Sequence, residues 1–97
     1  MKYTIRWKDC NKSLALESYI AEKIEKFKDF NFVLDNAKIE IVYYAKQKSY
    51  KSRINIHVAK KGLLRAESAA KDIITAFNDT TDKIFDQLRR VKTKFGR

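Results

Sequence analysis

The chain has 97 residues, 44% of them hydrophobic and 35% charged, which suits one small soluble domain with a single core. No apolar run is long enough to span a membrane, and the opening MKYTIRWKD lacks a signal-peptide core, so a cytoplasmic protein without a membrane partner is expected. The lone Cys10 has no disulfide partner, which fits a reducing cytosol, and Cys10 with His57 is too small a donor set for a structural zinc site.

KYTIRW (2–7) alternates with Tyr3, Ile5 and Trp7 on one face, which predicts a first strand. Ser13 is a suitable N-cap for a helix over 14–30 that carries Leu16, Ile20, Ile24, Phe27 and Phe30 on one stripe. AKIEIVYY (37–44) and SRINIHV (52–58) alternate again, and KKG (60–62) turns into a short strand, LLRAES (63–68). A long helix is then predicted from about Ala70 to Lys94, with Ile73, Phe77, Ile84, Leu88 and Val91 inward. The order is β-α-β-β-β-α. An α+β domain over residues 1–97, a four-stranded sheet with two helices on one face, buries both apolar stripes most economically.

The net charge of +10 is local. Residues 41–66 hold seven basic residues and no acid, and residues 87–97 hold five more and no acid. The rest of the chain has ten basic and twelve acidic residues, a net of −2. Such blocks point to a polyanion, nucleic acid first.

At 100° per residue, Lys23 and Lys26 fall beside Tyr19 on one flank of the first helix. In the last helix Lys83, Gln87, Arg90 and Lys94 run down one flank, while Asp79, Asp82 and Asp86 project away from the apolar stripe. With these flanks facing each other, the cations would line a groove shared by the two helices. Asp79 with Lys83 and Asp86 with Arg90 are also i,i+4 pairs of an ordinary solvated helix, at roughly 0.2–0.5 kcal/mol each. The acid-free run after Gln87, with Arg89, Arg90, Lys92 and Lys94, exceeds what a helix C-terminus requires. The candidate polyanion-contacting set, with nucleic acid as the first expectation, is therefore Lys23, Lys26, Lys83, Gln87, Arg89, Arg90, Lys92 and Lys94.

Tyr43, Tyr44 and Tyr50 lie near a basic loop and could stack on bases, but strand and core roles explain them more simply. The helix-two aspartates sit on a convex face beside cations rather than in a pocket. No phosphate loop, nucleophile motif or dinucleotide fingerprint occurs, so neither an enzyme nor a cofactor is expected.

The whole chain resembles the ribosome hibernation promoting factor family, which includes ribosome-associated inhibitor proteins. The resemblance rests on the β-α-β-β-β-α order, on AEKIEKF (21–27) and on DIITAFNDTTDKIFDQLRRVKTK (72–94), with Asp72, Ala76, Asp82-Lys83-Ile84 and Gln87-Leu88-Arg89-Arg90 at the family's spacing. Departures are Ile74 where an aromatic is common, Thr80-Thr81 in place of an aliphatic pair, and Asp86 at a frequently basic position. The resemblance implies binding to the small ribosomal subunit between head and body, in the channel of messenger and transfer RNA. Translation would be blocked there and idle ribosomes preserved under stress. Lys23, Lys26, Lys83, Arg90 and Lys94 match the family's positions facing ribosomal RNA. No small-molecule substrate is implied. Because long members append a dimerising domain, the chain is expected to be a short form or a long form's N-terminal domain, monomeric off the ribosome. A double-stranded-RNA-binding domain shares the order after the first strand, but usually opens its last helix with a lysine cluster where this chain has SAAKDII. A basic module that binds an acidic protein is the alternative from another class.

Overall fold

A computed structural model of the protein describes the backbone of residues 1–95 and the side chains of residues 1–91. Its elements are β1 (Tyr3–Lys8), α1 (Leu14–Glu25), β2 (Val33–Tyr44), β3 (Ser49–Val58), β4 (Gly62–Ala70) and α2 (Ile73–Phe95). They form one sheet in the order β1-β2-β3-β4, with β1 parallel to β2 and the other neighbours antiparallel. The parallel pair needs a crossover, and α1 supplies it. The antiparallel pairs need tight turns instead. Lys48 and Lys60 adopt left-handed φ of 49° and 66° in them, and Gly62, at φ 94°, opens β4 in a conformation that strains other residues. The expected α+β architecture is therefore the one that forms.

Several boundaries differ from the periodicity. The α-helix over 14–30 is interrupted: α1 ends at Glu25 and Lys26–Asp29 form a 3-10 turn, which still buries Phe27. β2 begins at Val33, well before Ala37, because a register shift between these residues breaks the alternation that pattern reading relies on. β4 runs on to Ala70, and α2 starts after Asp72, whose carboxylate accepts from the Ile74 and Thr75 amides at 3.0 and 3.3 Å. Ser13 caps α1 as expected, accepting from the Leu16 amide at 3.2 Å.

The core joins both helices to the inner face of the sheet. Ile20, Ile24, Phe27, Ile39, Ile41, Ile54, Ile56, Phe77, Ile84 and Leu88 are buried in one cluster. Phe27 meets Phe85 edge-on at 4.9 Å, and Tyr19 meets Phe77 at 6.1 Å, so aromatic pairs bridge the helices. Thr80 and Thr81 do not interrupt the stripe: both are fully buried. The Thr80 hydroxyl lies 2.8 Å from the Ala76 carbonyl and 3.2 Å from that of Ser52, and Thr81 donates to the Asn78 carbonyl at 2.8 Å. Bonding back to the helix satisfies the hydroxyls and leaves the methyl groups to pack.

Candidate nucleic-acid interface

α2 lies over β3 and β4, so one of its flanks overhangs the free edge of β4. That flank carries Lys83, Gln87 and Arg90. Lys83 Nζ donates to the Glu67 carbonyl at 2.8 Å and Gln87 Nε2 to the Arg65 carbonyl at 2.9 Å. An edge strand has no neighbour for such carbonyls, and the helix side chains take that place. Beside these bonds runs a groove of about 730 Å³ between β4 and α2. Lys61 and Arg65 line it from the β4 side and Lys83 and Arg90 from the helix, over apolar Leu64, Ala66 and Val91; Glu67 and Asp86 also line it. The acid-free segments 41–66 and 87–97 thus meet at one surface.

This corrects the expected groove between the helices. The α2 flank that faces α1 is a different one, carrying Asn78, Phe85 and Arg89. Asn78 accepts from the Tyr19 hydroxyl at 2.7 Å, and Phe85 packs on Phe27. Lys23 stands 5.9 Å from the Tyr19 ring, and Arg89 stands 5.9 Å from the Phe85 ring while pairing with Asp86 at 2.9 Å. Lys26 is exposed in the 3-10 turn rather than on α1. The predicted residues therefore divide. Lys83, Gln87 and Arg90 face β4; Lys23 and Arg89 belong to the inter-helix side. Lys92 and Lys94 lie outside the described side chains. A helical wheel relates residues within one helix, but it does not say on which side the neighbouring helix lies.

The open sheet face uses its charges differently. Register aligns Arg6, Glu40, Arg53 and Glu67 in one row across all four strands. Arg53 pairs with Glu40 and with Glu67, each at 3.1 Å; Lys51 reaches Glu67 at 2.9 Å and Arg6 reaches Glu40 at 3.9 Å. The hydrogen bonds from Lys51 and then Arg53 hold the Glu67 carboxyl below its ordinary range. Glu40 and Glu67 are the residues just outside the acid-free segment, and hairpin pairing returns them to its middle. What remains unpaired from that segment, among the described residues, is Lys46, Lys48, Lys60, Lys61 and Arg65. Lys61 and Arg65 were absent from the candidate set; the acid-free run was the signal that contained them.

Tyr43 and Tyr44 end β2 and Tyr50 lies near the start of β3, so all three are strand residues. His57 is exposed on β3. Burial raises the pKa of the Cys10 thiol, which donates to the Ile41 carbonyl at 3.6 Å. Among the described residues no cluster of three metal-donor side chains occurs, and no helix is long and apolar enough to cross a membrane.

The model of one protein family, described as sigma 54 modulation protein / S30EA ribosomal protein, matches residues 3–95. No curated protein is similar to the chain in sequence. Among solved structures, the Thermus thermophilus Protein Y N-terminal domain is 18% identical with a TM-score of 0.81, over 94% of this chain and 99% of that one. A ribosomal subunit interface protein from Coxiella burnetii is 16% identical with a TM-score of 0.82, over 96% and 99% of the two chains. At these identities the two structures establish a shared fold. The match over nearly the whole chain establishes the family: this protein belongs to the sigma 54 modulation / S30EA ribosomal protein family.

Proposed function

We propose that the protein, as one ribosome-binding domain over residues 1–97, binds ribosomal RNA of the small subunit in the channel of messenger and transfer RNA. By occupying that channel it blocks translation and preserves idle ribosomes under stress. The family, one of ribosome-associated factors and not a class of enzymes, supports a ribosomal partner. The observation that carries the reading is the β4–α2 groove, where cations from both acid-free segments converge. Lys61, Arg65 and Arg90 are the direct phosphate contacts in this account. Lys83 and Gln87, bonded to β4, fix the helix that presents them. Lys23, Lys26 and Arg89 extend the basic surface around the helices, and Lys92 and Lys94 of the acid-free run are further RNA contacts in this account. The protein acts as a cytoplasmic monomer off the ribosome, without cofactor or small-molecule substrate.

Phosphate contacts of this kind act by releasing counterions, so binding depends steeply on salt. For roughly 6–10 neutralised phosphates, affinity falls on the order of 10³–10⁵-fold between about 50 and 200 mM salt. Sedimentation of small subunits with the protein across this range tests the reading. A steep loss is expected, and an affinity that stays flat contradicts it.

A further inference from the structure

Both helices begin at the end of the sheet where β2 turns into β3, and their first turns border a cavity of about 680 Å³. Tyr43 and Tyr50, directly opposite each other across β2 and β3, line it with ring centroids 4.8 Å apart. Leu16 of α1 and Ile73 and Ile74 of α2 supply apolar walls, and Cys10 lines it from the segment after β1. These groups are separate from the basic groove, which involves the later turns of α2.

The volume suits a small organic group, and the tyrosine rings, tilted 49° to each other, and the apolar side chains around them offer ring faces to it. The surroundings are cationic. Lys46 and Lys48 sit in the turn just beyond the tyrosines, and Lys71 precedes α2. Their side chains make no ion pair or hydrogen bond among the described residues. Nearby acids are largely engaged: Asp72 caps α2, and Glu17 pairs with Lys12 at 3.3 Å. Asp9 and Asn11 also line the cavity and offer polar groups for a base edge. Both helix N-termini are already capped, by Ser13 and Asp72, so the cavity has little to hold a phosphate within it. Aromatic floor and anion-binding groups are thus set apart, as a nucleotide's base and phosphates are.

We propose that this cavity receives one unstacked base of the bound RNA, stacked on Tyr43 and Tyr50, with the adjoining phosphates on Lys46 and Lys48. Stacking of exposed bases on aromatic side chains is the usual way a protein holds single-stranded RNA. An apolar protein segment is a less suitable occupant because it would leave Lys46 and Lys48 unpaired, and an acidic one because it brings no ring to stack on Tyr43 and Tyr50. The assignment rests on the RNA-binding reading above but uses other residues, so each can fail alone.

The test uses the full chain and an unstructured adenosine-rich RNA oligonucleotide. Cys10 is the single thiol, so its modification by a thiol reagent reports occupancy. Bound oligonucleotide should slow that reaction. Ile74→Glu, at a 39% exposed position of the wall, should remove the protection and weaken binding roughly tenfold. Leu34→Glu makes the same charge change at a 49% exposed position away from the cavity and should retain both. Tyr43→Leu, which keeps bulk but loses the ring face, should behave as Ile74→Glu does. Oligonucleotide binding that leaves Cys10 as reactive as in the free protein overturns the proposal. Equal binding by Ile74→Glu and Leu34→Glu also overturns it. So does protection by an acidic, leucine-rich peptide but not by RNA, which would make the cavity a protein-docking site. Small-subunit sedimentation in parallel judges the ribosomal reading separately, since oligonucleotide binding in the cavity needs no ribosome.

Discussion

On the open face of the sheet Arg53 sits between Glu40 and Glu67 and Lys51 closes on Glu67, whereas in the groove between β4 and α2 Lys61, Arg65 and Arg90 make no ion pair among the described residues. Lys51, Arg53, Lys61 and Arg65 all come from the same acid-free segment. Register separates them: the open-face row pairs Glu40 and Glu67 with Lys51 and Arg53, while in the groove Lys61, Arg65, Lys83 and Arg90 outnumber Asp86 and the already paired Glu67. Formal charge along a chain becomes attraction for a polyanion only where folding does not bring the acids back. The row contributes to holding the sheet together, and the groove is the surface proposed to act on a partner.

The largest expected effect breaks the groove. Changing Lys61, Arg65 and Arg90 together to glutamate should weaken small-subunit binding roughly a hundredfold or more, since each lost phosphate contact is a charge-assisted hydrogen bond. All three positions are exposed, so the fold should survive, as circular dichroism can check. The matching reversal of Lys2, Lys8 and Lys38, also exposed, should cost far less and mainly at low salt.

A change in the row should do the opposite. Arg53→Met leaves Glu40 and Glu67 without their shared cation. It should lower the melting temperature by roughly a few degrees while RNA affinity changes by less than about threefold. A large loss of affinity with unchanged stability would erase the distinction between the two regions.

Acid separates the regions more finely. Hydrogen bonds from Lys51 and Arg53 lower the pKa of Glu67, and those from Thr75 and the following amides lower that of Asp72. A carboxylate with a lowered folded pKa binds fewer protons folded than unfolded. Its contribution is present above the ordinary values of 4.5 and 3.8 and is lost as pH falls through the lower folded ones. Denaturant titrations should therefore show stability falling below about pH 4.5, and Glu67→Gln should flatten the first part of that fall.

The smallest effects concern hydroxyls beneath α2. Thr80→Val removes a satisfied hydroxyl and should cost about 0.5–1.5 kcal/mol. Ser52 is fully buried and its hydroxyl has no partner among the described residues, so Ser52→Ala should be neutral or stabilising, within about 1 kcal/mol.

Alternation in Tyr3-Ile5-Trp7 and the helical stripe of Ile73, Phe77, Ile84 and Leu88 made the element order legible, because one side of each element had to be buried. Val33 to Asn36 escaped that logic: the bulge interrupts period two. Lys26 escaped it because the chain tightens from an α-helix to a 3-10 turn within an unbroken apolar pattern. The site was partly legible. The acid-free segments marked where the excess charge lies, but spacing along α2 left open which neighbour Lys83 and Arg90 would meet. Nor does local sequence reveal that Glu40 and Glu67 neutralise Lys51 and Arg53, since that depends on cross-strand pairing.

The central claim is that the β4–α2 groove, and not the open face of the sheet, meets RNA. Lysine acetylation of the protein free and bound to small subunits, read by mass spectrometry, tests it most directly. Lys61 and Lys83 should be protected on binding, with Lys8 and Lys51 reacting as in the free protein. Protection of Lys8 and Lys51 with Lys61 and Lys83 unchanged would contradict the account.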